Sequence, residues 1–507
     1  MSETVEEVTK ERPCRLLSLA GMACLFVLTS TSCMVGPDYH LPQPEVPKEW
    51  IGVAKTTTER PSVAIATAAE LTAWWKQFRD PTLNSLVEEA VKANLDLRIA
   101  EVRLRQARAV RGIAIGGLWP SVTASGTYQR LHPAGATSEN SDLYQAGFDA
   151  LWELDLFGGQ RRAVESANAN IQAAVAGIRD VQVSLIAEVA LNYIQLRGFQ
   201  QQIVIARNNL KAQRHVAEIT QKRLNVGFAS ALDVANADSD VATTESQIPV
   251  FEAAERQSIY ALSVLLTKLP ADLIEQLSPA GPLPTIPPQI PVGLPSDLLR
   301  RRPDVQVSEA QLHAATAQIG IAVAELFPSF SLTGTMTWNS NLLRTWWNET
   351  SRSSSFGPAV TWPIFQGGAL TSNIHVQEAL RDQAFIAYQK TVLAAFQDVE
   401  NALIAFDKEQ QHSKWLQGAV DNNRRAVDLS LQLYTEGQID FLNVLIAQRS
   451  LYSSEDALVQ SKRSIATDLI ALYKALGGGW KSELRDEAKG TRKLTDTESI
   501  TKFGKKE

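Results

Sequence analysis

The sequence predicts a mainly helical fold with a smaller β content, built from two tandem repeats that each join a β-hairpin to very long helices. Three observations carry this. Short motifs return at a nearly constant offset, two proline-free stretches exceed any ordinary globular helix, and four alternating stretches flank polar loops. Four strands cannot close a barrel, so the chain is expected to assemble with copies of itself.

The chain opens on a segment to set aside. Lys10, Arg12 and Arg15 precede an apolar run from Leu16 to Leu28, too short to span a bilayer, and small polar residues lead to Cys33. Residues 1–32 therefore read as an export signal, although Ser30 stands where a leucine is usual and the start is acidic. Cys14 and Cys24 leave with the signal, so the mature chain holds a single cysteine and no disulfide pair. Cys33 is the expected lipidation site, and the Pro/Thr/Ala-rich residues 33–70 are the tether behind it.

The repeats follow as residues 71–272 and 295–480. Leu118-Trp119-Pro120-Ser121 returns as Leu326-Phe327-Pro328-Ser329, and Phe157-Gly158-Gly159 as Phe365-Gln366-Gly367. Gly227 with Leu232-Asp233-Val234 returns as Gly437 with Leu442-Asn443-Val444. The offsets are 208, 208 and 210 residues, and chance would scatter them.

Each repeat begins with a helix, Pro81 to about Leu118 and Pro303 to about Leu326, with proline at the first helical position. Pro120 and Pro328 end these helices. Alternating stretches follow at Val122–Tyr128 and Phe330–Trp338, then a polar loop, then Tyr144–Phe157 and Phe356–Phe365. Glycines then break the chain and a rod begins: Arg161 to Leu224 is about 65 residues, or near 100 Å. Gly227 and Gly437 cap the rods, and partner helices return to Leu269 and Leu476, with a kink or join expected at Pro249. Residues 273–294 are a Pro-rich linker, and the charged residues 481–507 are expected to be disordered.

Composition excludes several functions. A net charge of −6 offers no basic excess for nucleic acid. The six histidines are scattered, without HExxH or cysteine partners, so no metal site is expected. Gly477-Gly478-Gly479 ends a helix and is no phosphate cradle, and neither a GxSxG nor a Walker motif is present. No cofactor and no enzymatic chemistry are expected. No segment beyond the signal could span a bilayer as a helix, so a membrane crossing requires a closed barrel.

At two places the sequence resembles a known family. Trp74-Trp75-Lys76-Gln77-Phe78-Arg79-Asp80-Pro81 is similar to the opening motif of the TolC-type outer-membrane efflux family. Leu294-Pro295-Ser296-Asp297-Leu298-Leu299-Arg300-Arg301-Arg302-Pro303-Asp304-Val305 resembles the signature of its NodT-like lipoprotein branch, and Cys33 through Tyr39 and Ile319 through Ser329 extend the likeness. It covers Cys33 to Trp480.

The resemblance implies a homotrimer in the outer membrane: a 12-stranded β-barrel, four strands per protomer, continuous with an α-helical barrel in the periplasm. It implies a passive exit duct for small molecules, an adaptor protein and an inner-membrane pump of the resistance–nodulation–division type. Gly227 and Gly437 would mark the adaptor-docking tips at the periplasmic mouth. Asp233 and Tyr434 match the family's gate-locking acid and tyrosine, joined by a hydrogen bond; Ile439 stands where an arginine partner is usual. Asp440 could add a ring of carboxylates. The residues alone also allow Asp233 a plainer role, capping the returning helix. A type I secretion duct, a copper or silver channel and a structural spacer are rivals; the mature chain has only Met34 and Met336, too few for a methionine track.

Overall fold

The computed structural model describes residues 34–47, 50–51, 71–132, 141–286 and 295–480. Cys33, the signal reading and the tail 481–507 lie outside the described residues, as does part of the linker. A short 3-10 turn, Trp74–Phe78, precedes α1 (Pro81–Ala93) and α2 (Leu95–Gly116). Next come β1 (Ser121–Leu131), β2 (Ser141–Leu154), α3 (Gly159–Asn225), α4 (Ala231–Leu265), the single turn α5 (Ile274–Leu277) and α6 (Pro295–Arg301). The chain continues through α7 (Pro303–Ala324), β3 (Ser329–Ser340), β4 (Arg352–Thr361), α8 (Ala369–Thr435) and α9 (Phe441–Ala475). The two rods, α3 and α8, are 67 residues each, about 100 Å at 1.5 Å per residue.

Three local departures from the sequence reading have physical causes. The first helix is two, because Asn94 turns to ψ 135° and its Oδ1 accepts from the amides of Asp96 and Leu97 as the cap of α2. Its Nδ2 donates to the Leu265 carbonyl at 3.0 Å, so the break is also a tertiary contact. Pro249 lies within α4 without ending it, on an exposed side. β4 stops at Thr361, where Trp362 turns its Nε1 to the Leu326 carbonyl at 3.1 Å instead of extending the ladder.

The described chain forms two compact units, each drawing on both repeats. The first (Met1–Pro42, Leu104–Ala173, Ser308–Tyr388) holds the sheet. Its order is β1-β2-β3-β4, antiparallel throughout, with Phe148 opposite Met336 and Gly334 opposite Phe356. The β2–β3 ladder joins the two repeats' hairpins. At the base, Trp152 Nε1 donates to the Leu118 carbonyl and Trp362 Nε1 to the Leu326 carbonyl, the same tie made once per repeat.

The segment Met34–Tyr39 is strapped onto this unit. The Val35 amide donates to the Phe157 carbonyl. The buried Arg162 guanidinium donates to the carbonyls of Val35 and Gly36 and to Asp38 Oδ1 at 2.7 Å. Gly36 is required there: a Cβ would lie 2.5 Å from Gly320 Cα. Tyr39 stacks on His313, centroids 4.2 Å apart.

The second unit (Gln43–Arg103, Ala174–Val307, Gln389–Glu507) has an aromatic core. Trp74 is buried, stacks on Tyr473 at 5.1 Å and meets Phe78 edge-on. Asp80 caps α1 through the amides of Thr82 and Leu83, and its other oxygen accepts from the Tyr193 hydroxyl at 2.7 Å. Arg302 bonds Asp304 at 2.6 Å and Asp398 at 3.0 Å. Each sequence signature thus contributes a partly buried charged side chain, Asp80 or Arg302, that ties its segment to a distant helix.

Candidate functional site

The residues singled out in the sequence gather at the ends of two helical hairpins, α3–α4 and α8–α9. Gly227 and Gly437 close the rods in the same way. Each takes a left-handed conformation, φ 80° and 79°, which costs glycine nothing and other residues about 1–2 kcal/mol. The Gly227 amide donates to the Leu224 carbonyl and the Phe228 amide to the Arg223 carbonyl, at 2.9 and 2.8 Å. The Gly437 amide donates to the Tyr434 carbonyl and the Gln438 amide to the Leu433 carbonyl, at 3.0 and 2.9 Å. Both are Schellman closures, so each rod turns within three residues.

The helices leave the turns differently. Asp233 and Ser230 form a capping box: the Asp233 amide donates to Ser230 Oγ, while the Ser230 amide and hydroxyl both donate to Asp233 Oδ2 at 2.8 Å. Asp440 occupies the matching position ahead of α9, is exposed, and makes no capping bond with its side chain. Val226, Phe228 and Leu232 are each at least two-thirds exposed around the first tip.

Tyr434 is buried among Val216, Ala237, Phe441, Val444 and Leu445. Its hydroxyl has no hydrogen-bond partner among the described residues. The expected bond from Tyr434 to Asp233 is therefore not formed. Asp233 spends its carboxylate on the first turn of its own helix, where amide dipoles also favour a negative charge. The tyrosine ring instead goes into the apolar cluster.

Two cations that sequence reasoning missed hold this region. Arg223, from the last turn of α3, lies 4.5 Å above the Tyr434 ring and donates from Nη1 to the Tyr434 carbonyl at 2.6 Å. It thus reaches the tyrosine that Ile439 cannot. Further along, Arg449 donates from Nε and Nη2 to Asp240 Oδ1, at 2.8 and 2.6 Å, joining α9 to α4. Asp240 is buried, and this bond holds the Arg449 guanidinium above its ordinary value. Neither position carries a motif; an acid on the packed side of α4 was the only available signal.

Among the described residues, no group of three or more His, Cys, Asp or Glu side chains is placed to hold a metal ion. No helix among them is long and apolar enough to cross a membrane.

Comparison with known proteins identifies the family and the fold. The profile of the family described as "Outer membrane efflux protein" matches residues 86–267 and 294–478. "Nodulation protein T" of Rhizobium leguminosarum bv. viciae is 33% identical over 458 residues, covering 90% of this chain and 93% of the relative. "Pyoverdine export outer membrane protein OpmQ" of Pseudomonas aeruginosa is 34% identical, covering 82% of this chain and 89% of its own. The solved structure of the outer-membrane channel OprN superposes with TM-score 0.81 at 36% identity, over 89% of this chain and all of that one.

Proposed function

The chain belongs to the outer membrane efflux protein family, and on that premise we propose that it is the passive exit duct of a three-part machine. It is an outer-membrane efflux channel with the family's fold, a mainly helical chain whose four strands form one third of a 12-stranded barrel closed by three copies. The finer reading is that it carries small molecules handed over by an inner-membrane pump of the resistance–nodulation–division type through a periplasmic adaptor, and that it performs no enzymatic step. One observation supports this best: a sheet with two open edges belongs to the same chain as two long hairpins, the first exposing Val226, Phe228 and Leu232 at its tip and the second Leu442. Open edges call for more copies of the sheet, and exposed apolar tips call for a partner.

In this reading the tips at Gly227 and Gly437 receive the adaptor, and Asp233, Tyr434 and Asp440 surround the gate. Three exposed Asp440 carboxylates, one per copy, would favour cations at the mouth. Acylation of Cys33 would add a second hold on the membrane beside the barrel. Conductance of the purified protein in a planar bilayer tests the duct, which should pass ions through a low closed state. Replacing Phe228 and Leu232 by charged residues should leave that closed conductance unchanged and abolish drug efflux in cells. Intact mass tests the anchor, and an unmodified Cys33 in a membrane-bound sample would end that part of the proposal.

A further inference from the structure

We propose that Arg105 and Asp382 form an ion pair between neighbouring copies of the chain and set the register in which the copies close. The inference rests on the three-copy reading and goes beyond it by naming the contact.

The placement follows from the sheet. β1 pairs only with β2 and β4 only with β3, so closure must lay β4 of one copy against β1 of the next. The register runs from Ser121 to Leu151, from Leu151 to Thr333 and from Thr333 to Gly357. The start of β1 and the end of β4 therefore lie at the same end of the sheet. α2 leads into β1 there and α8 leaves β4 there. Closing the barrel brings α2 beside α8 of the next copy, in antiparallel orientation.

Both helices have a face prepared for this. α2 buries only Leu97 and Ala100 along its 22 residues, too little to hold a helix of that length by itself. Toward its own chain it turns the half-buried Leu104, Ala107, Ala114 and Ile115; opposite them lie Gln106, Ala109 and Ile113, exposed. On α8 the half-buried Ile374 and Ala384 and the buried Tyr388 face inward; Ala379, Gln383 and Ile386 lie opposite, exposed. At about 100° per residue, Arg105 lies about 60° to one side of the exposed α2 face, and Asp382 about 60° to the same-handed side of the exposed α8 face. For facing antiparallel helices, those two positions fall on one side of the contact.

The levels agree as well. Measured from the helix ends at the sheet, Arg105 is about 16 Å along α2 and Asp382 about 20 Å along α8. An arginine side chain spans that difference. Arg105 makes no hydrogen bond or ion pair among the described residues. Among the described residues Asp382 meets only its sequence neighbour Arg381, in an exposed pair that contributes little and yields readily. From Leu104 to Gly116, α2 carries Arg105, Arg108 and Arg111 and no acid; in the first turns of α8, Glu378 is paired with His375, which leaves Asp382, beside Arg381, as the exposed acid. A cation on one edge and an acid on the other favour a single head-to-tail register over a slipped one.

Disulfide trapping tests the contact in the full-length protein. The double variant Arg105→Cys/Asp382→Cys, oxidised in detergent, should yield covalent dimers and trimers on a denaturing gel, and each single variant should yield at least tenfold less. A double variant that light scattering shows to be trimeric, yet that runs as monomer after oxidation, overturns the contact while leaving the trimer intact. A sample that is monomeric before oxidation overturns both. A charge swap reads the ion pair itself: Arg105→Asp should lower the temperature at which trimers dissociate, and Asp382→Arg in the same chain should recover most of that shift. If the two losses add instead, no ion pair exists. If Arg105→Asp leaves trimer dissociation untouched and changes ion selectivity instead, Arg105 faces the duct and the proposal fails.

Discussion

The Arg223 guanidinium sits 4.5 Å above the Tyr434 ring and, through Nη1, holds the Tyr434 carbonyl at 2.6 Å. One side chain from the end of one rod thus grips both the ring and the backbone at the end of the other. The Tyr434 hydroxyl takes no part, being buried without a hydrogen-bond partner among the described residues. Tyr434→Phe should therefore leave the closed conductance unchanged, while Arg223→Ala removes a cation–π contact and a charge-assisted bond, together about 2–4 kcal/mol, and raises the leak. Single-channel recordings decide it. A rise with Tyr434→Phe alone would restore the hydroxyl as the lock.

Asp233 serves the fold of α4. Ser230→Ala and Asp233→Ala should each cost about 1 kcal/mol, felt as faster hydrogen exchange in the first turn of α4. Because the two side chains satisfy each other, the double variant should cost little more than either single one. Additive effects would show that Asp233 has a partner elsewhere in the assembly.

How much of this could be read from the sequence depends on the kind of interaction. The rods, the duplicated turns at Gly227 and Gly437, and the hairpins rest on local chain chemistry, which spacing records. The β2–β3 ladder does not, since Phe148 and Met336 meet across 188 residues with no local signal. Tyr434 with Asp233 came from a resemblance, whereas the plainer role of Asp233, capping the returning helix, followed from its place near the start of that helix; its partner Ser230 emerges only in the structure. Arg223 was hidden because it binds a carbonyl and a ring face, and neither leaves a mark in the sequence.

Arg302 should be the costliest surface-adjacent position in the second signature. It is held between Asp304 and Asp398, with further bonds to the Ala395 and Ala475 carbonyls at 3.4 Å. Asp180 lies close by, and burial, then the nearby Asp304 charge, raises its carboxyl above the ordinary range. Removing this cation leaves Asp180, Asp304, Asp398 and Asp468 lining a cleft of about 520 Å³ with Lys474 as the positive charge that remains there. Arg302→Ala should destabilise by about 3 kcal/mol, discounted from a fully buried pair because Asp398 is half exposed. Arg302→Lys should recover only part, since an ammonium cannot reach both carboxylates in a plane. Thermal unfolding of the purified protein provides the measurement.

The strap Met34–Tyr39 should release in acid. Arg162 binds Asp38 and Glu165, each at 2.7 Å, and Glu165 also pairs with the His313 ring at 3.0 Å, on which Tyr39 stacks. Burial alone would raise the Glu165 carboxyl, but the bonds to His313 and Arg162 outweigh it and hold the group below its ordinary value of 4.5. A carboxyl lowered on folding contributes stability that is present above the ordinary value and is lost as pH falls through the lowered one. The strap should thus be firm at neutral pH and loosen only below about 4.5, as Glu165 takes up a proton and Arg162 loses one of its two anions. Glu309, in the same region, is raised by burial and protonates earlier, so it cannot replace Glu165. Hydrogen exchange of the Val35 amide, which donates to the Phe157 carbonyl, follows this opening directly once corrected for the intrinsic pH dependence of exchange. Glu165→Gln should show the loosened state already at pH 7, and Gly36→Ala should do so at every pH, because its Cβ cannot fit against Gly320. An amide equally protected at pH 3 and pH 7 would mean that the Arg162 contacts to the Val35 and Gly36 carbonyls hold the strap alone.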